Sequence, residues 1–182
     1  MKLLICSDIH GDAVATERIL QIFESEKADR IVLLGDILYH GPRNDLPEGY
    51  APKNVIKMLN SLSEKIIAVR GNCEADVDGM VLDFPITSEL SYIMDKDITL
   101  LLTHGHKFTP DDPPKMARAT VMLAGHTHVP KIRELDGGCF YVNPGSVSLP
   151  KEGNPKTYAV YEDGLLSIKT LEGELFLEKR FL

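Results

Sequence analysis

The stretch Thr120-Val121-Met122-Leu123-Ala124-Gly125-His126-Thr127-His128 joins a short apolar run to a pair of histidines one residue apart. The run suits a strand buried on both faces, as strands of parallel sheets are. Packing alone does not call for two histidines at its end, whereas a metal does, because imidazole is a common ligand of divalent transition metals. In an open α/β sheet, ligands bind at the carboxyl ends of strands, so the placement of the pair carries as much as its composition.

Four further polar signatures follow apolar runs in the same manner: Asp8-Ile9-His10-Gly11, Gly35-Asp36, Gly71-Asn72-Cys73 and Thr103-His104-Gly105-His106. Taken singly, Asp-x-His reads as a capped turn and Gly-Asp as an ordinary turn pair. Taken together they supply two carboxylates, an amide oxygen and imidazoles, which is a ligand set for divalent cations, with glycines that permit tight turns beside it. One dinuclear site accounts for all five.

The surrounding pattern predicts an α/β fold. Strands are expected at 2–6, 31–34, 65–69, 98–102, 120–123 and 139–142. Amphipathic helices are expected at 13–27, where Asp12 serves as N-cap and Val14, Ile19, Ile22 and Phe23 form the apolar side, and at 52–62, which opens on Pro52. Runs at 157–161, 165–171 and 175–180, broken by Glu162-Asp163-Gly164 and Glu172-Gly173-Glu174, predict an antiparallel C-terminal meander. The proline-bearing segments 39–51 and 108–115 read as ordered surface loops. A length of 182 residues suits a single domain over 1–182, and 43% apolar with 26% charged residues marks a globular chain.

With 27 acidic against 20 basic residues the net charge is −7, which disfavours nucleic-acid and membrane binding. No apolar run approaches the roughly 18–20 residues that span a bilayer, and the first six residues do not form a secretory signal. Three cysteines, Cys6, Cys73 and Cys139, at spacings unsuited to a disulfide framework favour the cytoplasm. The pattern leaves a homo-oligomer open.

The order Asp8-Ile9-His10, Gly35-Asp36, Gly71-Asn72-Cys73, His104-Gly105-His106 and Gly125-His126-Thr127-His128 resembles that of the calcineurin-like metallophosphoesterases. Gly41-Pro42-Arg43-Asn44, Val69-Arg70-Gly71-Asn72-Cys73 and Asn143-Pro144-Gly145-Ser146 are similar to its small single-domain bacterial phosphodiesterases, whose relatives include the scaffold subunit of the retromer coat. The resemblance implies a four-layer αββα sandwich of two mixed β-sheets flanked by helices. It further implies that Asp8, His10 and His128 hold one metal, that Asn72, His104 and His126 hold the other, and that Asp36 bridges both. It points to manganese, with iron or zinc compatible with the same donors. Two divalent ions would outweigh the charges of Asp8 and Asp36, so the site would attract a small phosphodiester and turn a bridging water or hydroxide on phosphorus.

Members of the family commonly have His after the Asn of the third motif; here it is Cys73, which leaves the general acid unassigned. His106 is the nearest replacement in sequence, with Cys73 itself the other catalytic candidate. Arg43 and Asn72 are candidate substrate contacts, and His40 and Lys53 lie in or beside the same proline-bearing segment. Ser146 is expected to donate near the site from the turn at 143–145. The alternatives are a scaffold that keeps the fold without catalysis, disfavoured because His10 is present, and a phosphomonoesterase, disfavoured because the sequence shows no basic cluster for a dianionic ester.

Overall fold

The structure, a computed structural model, describes residues 1–181. In chain order the elements are β1 (Lys2–Cys6), α1 (Ala13–Glu26), β2 (Arg30–Leu33), α2 (Pro52–Asn60), β3 (Ile66–Ala68), α3 (Asp78–Val81), β4 (Leu90–Asp95), β5 (Ile98–Thr103), β6 (Thr120–Leu123), β7 (Lys131–Leu135), β8 (Cys139–Asn143), β9 (Thr157–Glu162), β10 (Leu165–Thr170) and β11 (Leu175–Arg180). They form two mixed sheets, one ordered β11-β10-β9-β1-β2-β3 and the other β4-β5-β6-β8-β7. Within the first sheet β1, β2 and β3 are parallel, and within the second β5, β6 and β8 are parallel.

Period-two alternation sorts each central strand between two apolar layers. Leu3 and Ile5 of β1 and Val32 of β2 meet Leu100, Leu102, Val121 and Leu123 of the other sheet in the layer between the sheets. Leu4 and Cys6 point the opposite way, with Ile31 and Leu33, onto Ile19, Ile22 and Phe23 of α1 and Val55 and Leu59 of α2. The helix α1 starts where Asp12 accepts the Ala15 N–H at 3.0 Å, and it ends at Lys27 in a left-handed conformation (φ 53°). Val14 does not belong to its apolar side; it is 66% exposed.

The two mixed sheets pack face to face as expected, and the helices α1 and α2 cover the first; the outer layer over the second departs from the expected helices on both sides. Leu101, Met122 and Tyr141 on the outer face of the second sheet are covered by Phe108 and Met116 of the segment between β5 and β6, which is irregular chain. Pro110, Pro113 and Pro114 keep that segment from closing a helix. All six expected buried strands and the C-terminal meander form. Two further strands, β4 and β7, lie at the two edges of the second sheet; their mixed sequences, Leu90-Ser91-Tyr92-Ile93-Met94-Asp95 and Lys131-Ile132-Arg133-Glu134-Leu135, carry the polar residues that edge strands use against aggregation.

Candidate metal centre

Parallel strands end on the same edge of a sheet, so the signatures after β1, β2, β3, β5 and β6 meet although they are up to 120 positions apart, Asp8 to His128. Backbone hydrogen bonds clamp the strand-end loops together: Asp8 N–H donates to Gly35 O (3.2 Å), His10 N–H to Asp36 O (2.9 Å) and Gly125 N–H to His104 O (2.8 Å). Asp8 (φ 56°), His10 (51°), Asp36 (55°), His126 (69°) and His128 (60°) all occupy the left-handed region. For residues with a Cβ this costs on the order of 1–3 kcal/mol each, a strain that concentrates where function dictates the conformation.

The side chains then converge. Asp8, His10 and His128 place one ligand atom each within 4.8 Å of one another, and so do Asp8, Asp36 and His104. Asp36 lies between the two groups, with Oδ1 3.3 Å from His104 Nε2 and Oδ2 3.8 Å from His10 Nε2. Asn72 Oδ1 is 3.1 Å from His104 Nε2, and the ring of His126 is centred 5.2 Å from that of His104. All seven side chains singled out in the sequence are thus brought together.

Three of the histidines have their tautomer fixed by the backbone. Nδ1 of His10 donates to Tyr39 O (2.7 Å), Nδ1 of His104 to Leu34 O (2.7 Å) and Nδ1 of His128 to Leu149 O (2.5 Å). A carbonyl only accepts, so each Nδ1 carries hydrogen and each neutral ring turns its Nε2 lone pair inward. Nε2 of His10 and of His128 then face each other at 3.2 Å beside Asp8 Oδ1, a buried carboxylate oxygen that accepts no hydrogen bond among the described residues. Such an electron-rich hollow is satisfied by a cation, and the donor set fits a divalent transition metal.

Protons stand in where no cation binds. Burial alone would lower the pKa of His104, but the Asp36 carboxylate and the charges of Asp8 and Asp36 raise it to about 9. His10 is likewise raised against its burial, chiefly by Asp8. Burial would raise Asp8 and Asp36; His10 and His128 hold the first below the ordinary carboxylate range and His104 holds the second there. Both carboxylates are therefore ionised at neutral pH.

The family model for the calcineurin-like phosphoesterase superfamily domain matches residues 1–163. The chain belongs to this superfamily. It is 48% identical over 174 residues to Phosphodiesterase YfcE of Escherichia coli strain K12, covering 96% of this chain and 94% of that protein. It superposes on the solved structure of YfcE, described as a phosphoesterase from E. coli, with a TM-score of 0.97 at 45% identity over 100% of both chains. Vps29 of Entamoeba histolytica, solved with Zn²⁺, shares the fold at a TM-score of 0.62 and 18% identity, again over 100% of both chains. Membership of the calcineurin-like phosphoesterases implies divalent metal ions, for which the clusters just described are candidate ligands.

The centre opens into a cleft of about 350 Å³. Asp36, Asn72, His126 and His128 line it together with Arg43 and Lys151. Lys151 gave no signal in the sequence; it stands in a polar stretch and only the fold carries it to this cleft. Cys73 also lines it, and burial together with the Asp36 and Glu74 charges pushes its thiol up, so it stays protonated and is a poor nucleophile. The ring of His106 is centred 5.5 Å from that of His104 and 6.1 Å from that of His126, with Nδ1 buried and unpartnered among the described residues. His40 packs edge-on against Tyr39 and Tyr50, and Lys53 lies on α2; neither lines the cleft.

Supporting residues hold this phosphoesterase centre in shape. Ser146 Oγ donates to Asp8 O (2.8 Å), and Ser148 Oγ, not singled out in the sequence, does the same (2.9 Å). The carboxylate of Glu74 accepts the N–H groups of Asp36 (3.0 Å), Ile37 (2.7 Å) and Gly71 (2.5 Å), which fixes the turn that presents Asp36. Gly125 leaves room for Asp8: a Cβ there would lie 1.8 Å from Ser7 Oγ and 2.6 Å from Asp8 Oδ2. Gly125→Ala is expected to cost about 1–3 kcal/mol, as overpacking does, and to weaken metal binding with it. Urea denaturation and metal titration check this; native stability with native affinity would show that the loop yields freely.

Proposed function

We propose that this chain is a metal-dependent phosphodiesterase of small substrates, with two divalent cations, most readily manganese, held at one centre. The observation that carries the reading is the set of inward-facing Nε2 atoms of His10, His104 and His128 around the ionised Asp8 and Asp36. In this reading Asp8, His10 and His128 hold one ion, Asn72, His104 and His126 hold the other, and Asp36 serves both. The ions would supply Lewis acidity and an acidified water for attack on phosphorus. YfcE, at 48% identity, bears the name phosphodiesterase, which supports the diester over the monoester. The free thiols of Cys6, Cys73 and Cys139 accord with a cytoplasmic protein, and among the described residues no helix is long and apolar enough to cross a membrane.

The protein's own groups bind and orient the ester. Arg43 and Asn72 line the cleft from two loops, and in this reading both contact the substrate. Hydrolysis forms a P–O bond to water, breaks the P–O bond to the leaving group, and requires one proton for that group. His106 stands beside His104 and His126 for this task, but burial and the neighbouring His104 lower its pKa, so at neutral pH little of it carries a proton to give. Esters whose leaving group departs as a stable anion are thus expected to be much faster, because general acid help is typically worth about 10²–10⁴ in rate.

The test is a series of phosphodiesters of graded leaving-group pKa assayed on protein loaded with manganese, iron or zinc. Turnover that a chelator abolishes, with a steep dependence on leaving-group pKa, is the expected result. No turnover with any of the metals would sink the enzyme reading. A flat dependence that steepens in His106→Ala would assign the proton to His106 at full strength.

A further inference from the structure

Arg43 and Lys151 share the cleft of an acidic protein, and among the described residues neither is ion-paired to a carboxylate. Two like charges lining one hollow repel each other unless an anion lies between them. Lys151 is also held in place. Its Nζ donates to Asn44 Oδ1 at 2.9 Å, and the Asn44 amide is itself oriented by donating from Nδ2 to His40 O at 2.8 Å. On the other side, Lys151 N–H donates to His128 O at 3.3 Å, while His128 Nδ1 donates to Leu149 O. The lysine thus ties the loop that bears His128 to the loop that bears Arg43.

An ammonium has three donors, and Asn44 takes one of those of Lys151. The others, and the guanidinium donors of Arg43, are not taken by any described side chain. A solvated surface lysine has no need of an oriented amide acceptor, since water serves as well; here ordering the side chain keeps its remaining donors in the cleft. The scissile phosphate of a diester has one negative charge and two non-bridging oxygens, and the metal centre with Asn72 already answers it. The second pair of cations is surplus to that phosphate.

We infer that Lys151, positioned by Asn44 and acting with Arg43, is a specificity-determining residue that selects phosphodiesters whose ester arm carries a second anionic group, such as a further phosphate. The inference rests on the phosphodiesterase reading for its chemistry, and it is tested by binding as well as by turnover.

The experiment compares two p-nitrophenyl thymidylates that share the leaving group, one with a free sugar hydroxyl and one with a second phosphate on the sugar. Metal-loaded protein is expected to favour the doubly anionic diester in kcat/KM by about fivefold, the scale of a solvent-exposed ion pair. Lys151→Met should bring the ratio close to one, Lys151→Arg should keep most of it, and rising ionic strength should shrink it. Calorimetric titration with thymidine bisphosphate and thymidine monophosphate gives the same comparison without turnover, so a protein that binds selectively but hydrolyses nothing sinks the enzyme reading alone. Equal losses on both diesters in Lys151→Met would show a merely structural lysine and overturn the inference. So would an absence of preference in the native protein, or a loss confined to p-nitrophenyl phosphate, which would assign the cations to a monoester dianion.

Discussion

Asp36→Asn is expected to reduce kcat/KM toward a phosphodiester by about 10³-fold, equivalent to roughly 4 kcal/mol of transition-state stabilisation. The two oxygens of Asp36 face different histidines, Oδ1 toward His104 and Oδ2 toward His10. Asparagine keeps the shape and still accepts the Cys73 N–H that Asp36 Oδ1 accepts at 2.9 Å. It removes the charge and turns one oxygen into an amide nitrogen, which has no lone pair for a cation. Both halves of the centre should therefore weaken together, while a variant such as Asn72→Ala weakens one. Metal analysis of the purified variant checks this beside the kinetics: two full equivalents with near-native turnover would show that Asp36 does not serve both halves.

Removing the metal is expected to lower the melting temperature by about 10 °C when the ion is supplied at a thousandfold excess over its dissociation constant, since that binding is worth about 4 kcal/mol to the native state. The gap should widen with pH. In the metal-free protein the pKa of His104 is raised from 6.5 to about 9 by Asp36 and Asp8 against its burial. A proton bound more tightly in the native than in the unfolded state stabilises fully below pH 6.5, and that stabilisation is lost as pH rises through about 9. The lowered Asp8 and Asp36 contribute in the opposite sense, losing their stabilisation only in acid. Across this alkaline window metal-free protein should melt progressively earlier. Metal-loaded protein should not, because a cation takes the place of that proton and binds better as protons become scarce. Thermal melts from slightly acid to alkaline pH, with manganese or with chelator, give the comparison. A gap that stays constant across the range would separate His104 from the metal.

The parts of this protein that were legible in the chain share a physical cause. The central strands are buried on both faces, so their sequences, such as Leu3-Leu4-Ile5-Cys6 and Val121-Met122-Leu123, are nearly all apolar and stand out. The ligands follow them at once, because a residue just past a strand end is the first free to turn toward the crevice. A sequence read one strand at a time therefore records both the sheets and the metal centre.

Other features have no local record. The edge strands β4 and β7 satisfy one neighbour and solvent together, so Tyr92 and Met94 stay exposed and the polar and apolar residues do not separate into a run. Val14 has helical spacing with the apolar side of α1, yet no neighbour comes to cover it.

The chain by itself carried the buried strands, the five polar signatures that follow them and the motif order by which it resembles its family, since each is set by residue type and short-range spacing; the two mixed sheets and the set of seven ligands followed from that resemblance. Only the tertiary structure decided how those side chains are aimed: the left-handed backbone at Asp8, His10, Asp36, His126 and His128, the carbonyls of Tyr39, Leu34 and Leu149 that fix the imidazoles, and the seat of Glu74 beneath Asp36. It also decided that Lys151 reaches Asn44, 107 residues away, to share the cleft of Arg43. The physical reason is the same in each case: a hydrogen bond or a charge acts through a few ångströms of space, and the partners it joins lie on different strand ends whose proximity the packing of the two sheets creates.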